Sequence, residues 1–286
     1  MILVTGGTGA IGGELLRLLA QAGIPARALA RNPDKVHALP GITWIAGDLS
    51  KPETLPPAFE GVETLFLLTH YYEDMVDLQH NAIVAALSAG VTHVVKVSAF
   101  AASDHSRAPI GRWQYQVEQE LKESGMGWTM IRPHHFMQNL LDQLEYITKE
   151  GKVYAASGDG LIPYVDFRDV AAVAFVALTQ PGHVGKTYVV TGGEALSYRT
   201  ASQIIGAEIG RPLLFVDETQ DEARARRIRE GLPPKVMESA LAIAAYQRAG
   251  GKTVTITTTV ADLTGRPPRT FADFVHEHAA DFRGET

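Results

Sequence analysis

Thr5-Gly6-Gly7-Thr8-Gly9-Ala10-Ile11-Gly12 follows a short apolar run, Met1 to Val4, and leads directly into a helical pattern. Residues of these types at this spacing can hold an anion without any charged side chain. Gly6 suits a tight turn out of the strand, Gly9 leaves the backbone open to close approach by a pyrophosphate, and Gly12 lets helix and strand pack closely. The helix amino terminus adds free N–H groups for the phosphates. Leu15, Leu16, Leu18 and Leu19 continue the helix, Gly23 stops it, and a second strand, Ala26 to Ala30, follows at βαβ spacing. In that context the glycines read as a dinucleotide grip, with an ordinary Gly-rich turn as the competing reading.

The end of the second strand bears on which dinucleotide. An NAD-selective site places Asp or Glu there to bind the ribose hydroxyls. Here the chain reads Ala28-Leu29-Ala30-Arg31-Asn32, and Arg31 with Lys35 one turn on can hold a 2′-phosphate, so NADP(H) is expected over NAD(H). Two surface cations at a helix start are the alternative. Asp48 can accept from the adenine amine and Leu49 can pack on the ring, although Gly47-Asp48-Leu49 also suits a plain strand end.

His134 and His135 follow another strand end, where an imidazole with an ordinary pKa of about 6.5 can donate a proton. A structural hydrogen bond accounts for either equally well. Sequence neighbours rarely converge on one ion and no third ligand is suitably spaced, so no metal site is expected. Asp166 and Asp169 read as a helix cap and a first-turn acid. Ser98 can bind a ribose or substrate oxygen, or cap the turn after it. His276 and His278 read as exposed helix positions.

These residues need elements to position them. Apolar runs at Ile2–Val4, Ala26–Ala30, Ile42–Ala46, Thr64–Leu68, His93–Ser98 and Thr129–Ile131 alternate with helical patterns. That alternation predicts an α/β fold of the Rossmann type, a doubly wound parallel sheet. Ligands bind along the carboxyl edge of such sheets. Beyond about Arg132 shorter strands are expected at Lys152–Ala155, Leu161–Val165, Lys186–Thr191 and Leu213–Val216, with helices over Val236–Arg248 and Phe271–Phe282. The whole chain, 1–286, reads as one NAD(P)-binding unit. Within it, 1–132 forms the nucleotide-binding core and 133–286 a sheet extension with a small, interwoven C-terminal substrate-side lobe.

Composition narrows the class. A net charge of −6 argues against a nucleic-acid surface. The one basic run, Arg224, Arg226, Arg227 and Arg229, lies among Asp221, Glu222 and Glu230 and reads as a solvated helix face. With 0 cysteines, disulfides and thiol nucleophiles are excluded. The amino terminus lacks a signal-peptide layout and no apolar run reaches about eighteen residues, so no membrane span and a cytoplasmic location are expected.

The segments TGGTGAIG, ARNPDK, GDLSKPETLPPAFEGVETLFLLT, ELKESGMGWTMIRPHHFMQNL, YVDFRDVAAVA and LTGRPPRTFADFVHEH carry a resemblance that runs nearly end to end. The chain resembles the NmrA-like atypical short-chain dehydrogenases/reductases, a group of redox sensors, triphenylmethane dye reductase and type 2 NAD(P)H:quinone oxidoreductase. The resemblance implies NADPH along the carboxyl edge, with Gly6, Gly9 and Gly12 under the pyrophosphate and Thr8 or Ile11 supporting it. It places Arg31 near the 2′-phosphate and the Leu68-Thr69-His70 turn beside the nicotinamide ribose. It implies a substrate pocket around Ser98, Phe100, Pro133, His134, Phe136 and Asn139.

One departure concerns the chemistry. Short-chain dehydrogenases pair a tyrosine with a lysine four residues on, which lowers the phenol pKa for proton transfer. None of the 9 tyrosines here has that lysine, and alignment with relatives puts Ile110 and Gln114 at the two positions. Ketone reduction by the usual route is therefore disfavoured. A quinone yields a phenolate of pKa about 10, far less basic than hydroxide, and a cationic dye needs no proton at all. The expected protein is a hydride-transferring oxidoreductase for a small aromatic substrate, monomeric or homodimeric. Phe100, Trp113, Phe136 and Met137 are candidates to face the substrate, and His134 or Ser98 to act on it. The alternatives are a non-catalytic NADP(H)-binding sensor and a tailoring enzyme for polycyclic aromatics.

Overall fold

The computed structural model describes residues 1–285, leaving aside the side chains of Lys252 and Thr253. The chain runs β1 (Ile2–Val4), α1 (Ala10–Gln21), β2 (Ala26–Ala30), β3 (Ile42–Ala46), α2 (Pro56–Phe59), β4 (Thr64–Leu67), α3 (Met75–Ser88), β5 (His93–Val97) and α4 (Pro109–Glu123). It continues through β6 (Gly127–Pro133), β7 (Lys152–Ala155), α5 (Phe167–Thr179), β8 (Lys186–Val190), α6 (Tyr198–Ile209) and β9 (Leu214–Asp217). Five helices complete it: α7 (Gln220–Arg229), α8 (Pro234–Ala249), α9 (Thr259–Thr264), α10 (Phe271–Glu277) and α11 (Ala279–Arg283).

Two compact units divide these elements. The first comprises Met1–Ser106, Ile110–Pro133 and Arg168–Val189; the second comprises Arg107–Pro109, His134–Phe167 and Val190–Thr286. The first holds a 7-stranded sheet in the order β3-β2-β1-β4-β5-β6-β8. Val4 pairs in parallel with Ala28 on one side and Phe66 on the other, so the chain steps outward from β1 in both directions. This is a doubly wound Rossmann-type sheet, and its switch point lies between β1 and β4. Strands buried on both faces must be apolar throughout, and Leu3, Leu29, Leu65, Leu67, Val94 and Met130 meet helix residues Ile83, Val117 and Leu121 in one core.

The second unit pairs β7 with β9 in parallel. Its core packs Met137, Leu140, Tyr164, Phe271, Phe274 and Phe282. Ser197 starts α6 by accepting from Thr200 N at 3.1 Å, and Thr219 and Glu222 form a reciprocal capping box on α7.

Two expected elements differ. Leu161–Val165 is not a strand: Ile162 bridges Leu196 and Val165 bridges Phe136 singly. Pro163 has no N–H for a ladder, and Tyr164 N turns back to Ile162 O at 3.0 Å. The helix expected over Phe271–Phe282 breaks between α10 and α11 at His278, whose φ of −102° and ψ of 16° leave the helical range. His278 Nδ1 then meets Asp281 Oδ2 at 2.8 Å, and both Phe274 and Phe282 remain buried.

Candidate functional site

In the first unit the loops after β3, β2, β1 and β4 leave neighbouring strands on the same edge, since those strands lie side by side and parallel. They carry Asp48 and Leu49, Arg31 and Lys35, the glycine turn, and Leu68-Thr69-His70, respectively.

The turn needs its glycines for different reasons. Gly6 has φ +67°, and a Cβ there would lie 2.8 Å from Leu68 O. At Gly12 a Cβ would fall 2.2 Å from Gly6 O, so helix and turn can touch only through hydrogen. At Gly9 a Cβ would meet only Gly6 O, at 3.4 Å, and would stand in open space above the turn. Gly9 is also the N-cap of α1, and no side chain caps that helix. An uncapped helix start beneath an open glycine fits a pyrophosphate group. Thr5, fully buried, was not singled out in the sequence, yet it braces this edge: its Oγ1 accepts from Leu68 N at 2.9 Å and lies 2.9 Å from Leu68 O.

Arg31 and Lys35 are exposed, and neither side chain makes a hydrogen bond or ion pair among the described residues. Asn32 caps the short turn between them by accepting from Asp34 N at 3.2 Å. Asp48 accepts from Ser50 N at 3.0 Å and Ser50 Oγ at 2.8 Å. These bonds, with Lys51 and Arg31 nearby, hold its carboxyl below the usual range. Asp48 therefore builds its own turn with one oxygen. Thr69 accepts from Gln79 Nε2 at 2.9 Å, while exposed His70 accepts from Tyr72 N at 3.3 Å. Thr8 is exposed and Ile11 half-buried.

A buried polar network lies at the end of β5. Ser98 donates to Glu118 Oε1 at 2.5 Å, and Arg132 Nε donates to the same carboxylate at 2.8 Å. Lys96, fully buried on β5, donates to Gln114 and, at 3.2 Å, to Val97 O. Burial pushes the Lys96 ammonium down to about 7, against the pull of the Glu118 carboxylate. Sequence reading noted Gln114 for the lysine it lacks and missed the lysine that reaches it. The signal was present, because a Lys inside a central parallel strand has no solvent face. Ser98 commits its proton to Glu118 and turns lone pairs elsewhere. Phe100, half-buried, is fixed through its backbone N to Pro133 O at 3.0 Å.

In the second unit His134, Phe136 and Asn139 leave β6 in succession. His134 is 8% exposed, and its Nδ1 accepts from His135 N at 2.8 Å, which puts the proton of the neutral ring on Nε2. Met137, expected to face substrate, is core at 1% exposure. Phe136 is half-buried and pairs with Val165. Asn139 Nδ2 lies 3.3 Å from His135 Nε2, and Tyr198 Oη lies 3.0 Å from it. With both as donors, Nε2 is an acceptor and the proton sits on Nδ1.

His135 is thus a hub of hydrogen bonds. Its ring meets Tyr164 edge-on at 5.5 Å and Tyr198 at 6.2 Å. Its side chain is half-buried. Desolvation, then His134 and Arg227, push its pKa down to about 3. Burial raises Tyr164 well above 10 and raises Tyr198.

The basic run is not a uniformly solvated face. Arg226 is 7% exposed; its Nη2 meets Glu218 at 2.8 Å and its Nη1 meets Glu230 at 2.7 Å. Arg227 is half-buried, and its charge favours the neutral form of His135 and the phenolate form of Tyr198. Tyr164 and Tyr198, which pack on His135, carry no local signature in the sequence because they lie far from it along the chain.

Among the described residues no helix is long and apolar enough to cross a membrane. The profile of the NmrA-like family matches residues 1–261. An NAD(P)H azoreductase of Xenophilus azovorans is 41% identical over 287 aligned positions, covering 99% of each chain. A (4-alkanoyl-5-oxo-2,5-dihydrofuran-3-yl)methyl phosphate reductase of Streptomyces griseus subsp. griseus is 40% identical over 100% of both. The crystal structure of an NADPH-dependent quinone oxidoreductase from Escherichia coli, complexed with NADPH, superposes with a TM-score of 0.89 at 26% identity, covering 97% of this chain and 99% of that one.

Proposed function

Because the chain belongs to the NmrA-like family, we propose that it is an NADPH-dependent reductase acting on a quinone-like or other conjugated aromatic acceptor. The observation that carries this reading is the chain-long identity to two named reductases, on a first unit whose opening turn fits a pyrophosphate.

Gly6, Gly9 and Gly12, with Thr8 and Ile11, hold the pyrophosphate. Arg31 and Lys35, exposed and unpaired, take the 2′-phosphate, and Leu49 with the free oxygen of Asp48 takes the adenine. Leu68, Thr69 and His70 border the nicotinamide ribose. NADPH, when bound, supplies the hydride. The Tyr and Lys of ordinary short-chain dehydrogenases are absent from their positions, and His135 stays neutral near pH 7, which favours acceptors whose reduced form is weakly basic. Within the first unit, Ser98 and Phe100 are the groups assigned to orient the acceptor; His134, Phe136 and Asn139 are separate candidates within the second unit.

The test is NADPH oxidation by purified protein against a panel of quinones, azo compounds and triarylmethane dyes, with titrations of NADPH and NADH. Turnover on at least one acceptor is expected; tight NADPH binding with none would overturn the reductase in favour of a nucleotide sensor. Arg31→Ala is expected to weaken NADPH binding about tenfold or more, as loss of a charge-assisted contact does, and to leave NADH binding nearly unchanged. Equal losses for both would remove the 2′-phosphate assignment.

A further inference from the structure

Two neutral side chains in the first unit have their hydrogen-bond polarity set by buried ions. Lys96 on β5 and Ser98 just past it are two residues apart and share one face of the strand. Gln114 and Glu118 are four apart on α4 and share one side of that helix. Because α4 joins two parallel strands, it runs back from their carboxyl edge, which puts Gln114 nearer that edge than Glu118. The contacts cross: Ser98, the outer residue of its pair, donates to the inner Glu118 at 2.5 Å, and the inner Lys96 donates to the outer Gln114. Exposure follows the same order, at 5% for Ser98 and 7% for Gln114 against 0% for Lys96 and Glu118.

Each ion leaves its partner one choice. Arg132 donates to both oxygens of Glu118, so the carboxylate only accepts, and Ser98 commits its one proton to it. An ammonium only donates, so Gln114 turns Oε1 to Lys96 and its NH2 away. Among the described residues Gln114 Nε2 has no partner, yet it is not sealed from solvent. Ser98 Oγ likewise receives no other hydrogen bond among them. What reaches the edge is one fixed acceptor and one fixed donor. Their position is set by register: Leu67 of β4 pairs with Lys96, and two residues past that pair come Thr69 on one strand and Ser98 on the next. Neighbouring strands lie about 4.8 Å apart.

We propose that Ser98 and Gln114 together read the nicotinamide carboxamide of the cofactor, Ser98 accepting from its NH2 and Gln114 donating to its C=O. The inference rests on the reading of the first unit as an NADPH site with Thr69 at the nicotinamide ribose. A primary carboxamide is the group next to that ribose that offers a donor and an acceptor side by side. Held through both, the ring cannot turn over about its glycosidic bond without losing both contacts, so a single face is presented for hydride transfer. Ser98 then orients the acceptor through the ring, and its committed proton rules it out as the proton donor.

Calorimetric titration with NADP⁺ and its 3-acetylpyridine analogue tests the pair, at pH 6, below the value of about 7 for the Lys96 ammonium. The analogue keeps the C=O and lacks the NH2, so the parent is expected to bind NADP⁺ about tenfold or more tighter, the cost of leaving a buried acceptor unmatched. Ser98→Ala is expected to weaken NADP⁺ to the level of the analogue and to leave the analogue unchanged, whereas a merely structural role would move both alike. Gln114→Leu is expected to weaken both dinucleotides and to retain the preference between them. Melting temperatures report folding; should Gln114→Leu fail to fold beside Lys96, Ser98→Ala alone decides. Equal binding of the two dinucleotides to the parent, or a preference that survives in Ser98→Ala, would overturn the assignment while leaving the nucleotide site standing. Binding of neither dinucleotide by folded parent protein removes the NADPH reading itself, and the pair with it.

Discussion

Two glycines of one turn separate binding from folding at the scale of single residues. Gly9→Val is expected to leave the melting temperature near that of the parent and to abolish NADPH binding in a fluorescence titration, because its Cβ enters open space that the phosphates would fill. Gly12→Ala should instead lower stability by about 1–3 kcal/mol, the usual cost of overpacking, because its Cβ would lie 2.2 Å from Gly6 O. Nucleotide affinity unchanged in Gly9→Val would relocate the pyrophosphate. The glycine turn was legible because its physics is local: each residue acts on neighbours a few positions away. His135 was only half legible, since chemistry singles out both histidines and only the fold decides which one meets Tyr198 and Asn139. Arg227 was read as solvated because its carboxylate neighbours in sequence look sufficient, whereas in space Arg226 takes both Glu218 and Glu230.

Among elements, β1, β2, β4 and β5 were readable from apolar runs, because strands largely buried on both faces carry no alternation to confuse with a helix. The edge strand β3, part-exposed, was readable from its β-branched and aromatic run. Leu161–Val165 has the same composition and is not a strand, since Pro163 removes a donor where a ladder needs one. Phe271–Phe282 is spaced for one helix but divides at His278, where a side-chain bond to Asp281 replaces the helical path. The polar contacts that tie elements together were the least legible part. Glu118 on α4 binds Ser98 after β5 and Arg132 on β6, with its own side chain fully buried. Glu118→Ala therefore strands Arg132 beside buried Lys96, and a loss of about 3–5 kcal/mol in urea denaturation is expected, the range for breaking one side of a buried pair. A loss below about 1 kcal/mol would mean that water reaches the network and screens it.

The same lysine gives the whole molecule a pH signature. Lys96 titrates near 7 in the folded chain, against a usual value of 10.5 when unfolded. Between those values the unfolded chain binds more protons, so stability rises with pH, by up to about 1.4 kcal/mol per unit. Below about pH 7 both states hold the proton and this slope ends, leaving the full penalty of a buried ammonium. His135 produces a second rise at lower pH, since its folded value of about 3 lies below the 6.5 of a free imidazole. Urea midpoints measured from about pH 7 to 9.5, below the phenol range, are therefore expected to climb in the parent protein and to stay flatter in Lys96→Met. The difference in slope is the readout, because the repacking cost of methionine beside Gln114 shifts both ends of the curve alike. Parallel curves for the two proteins would show that Lys96 keeps an ordinary pKa inside the sheet.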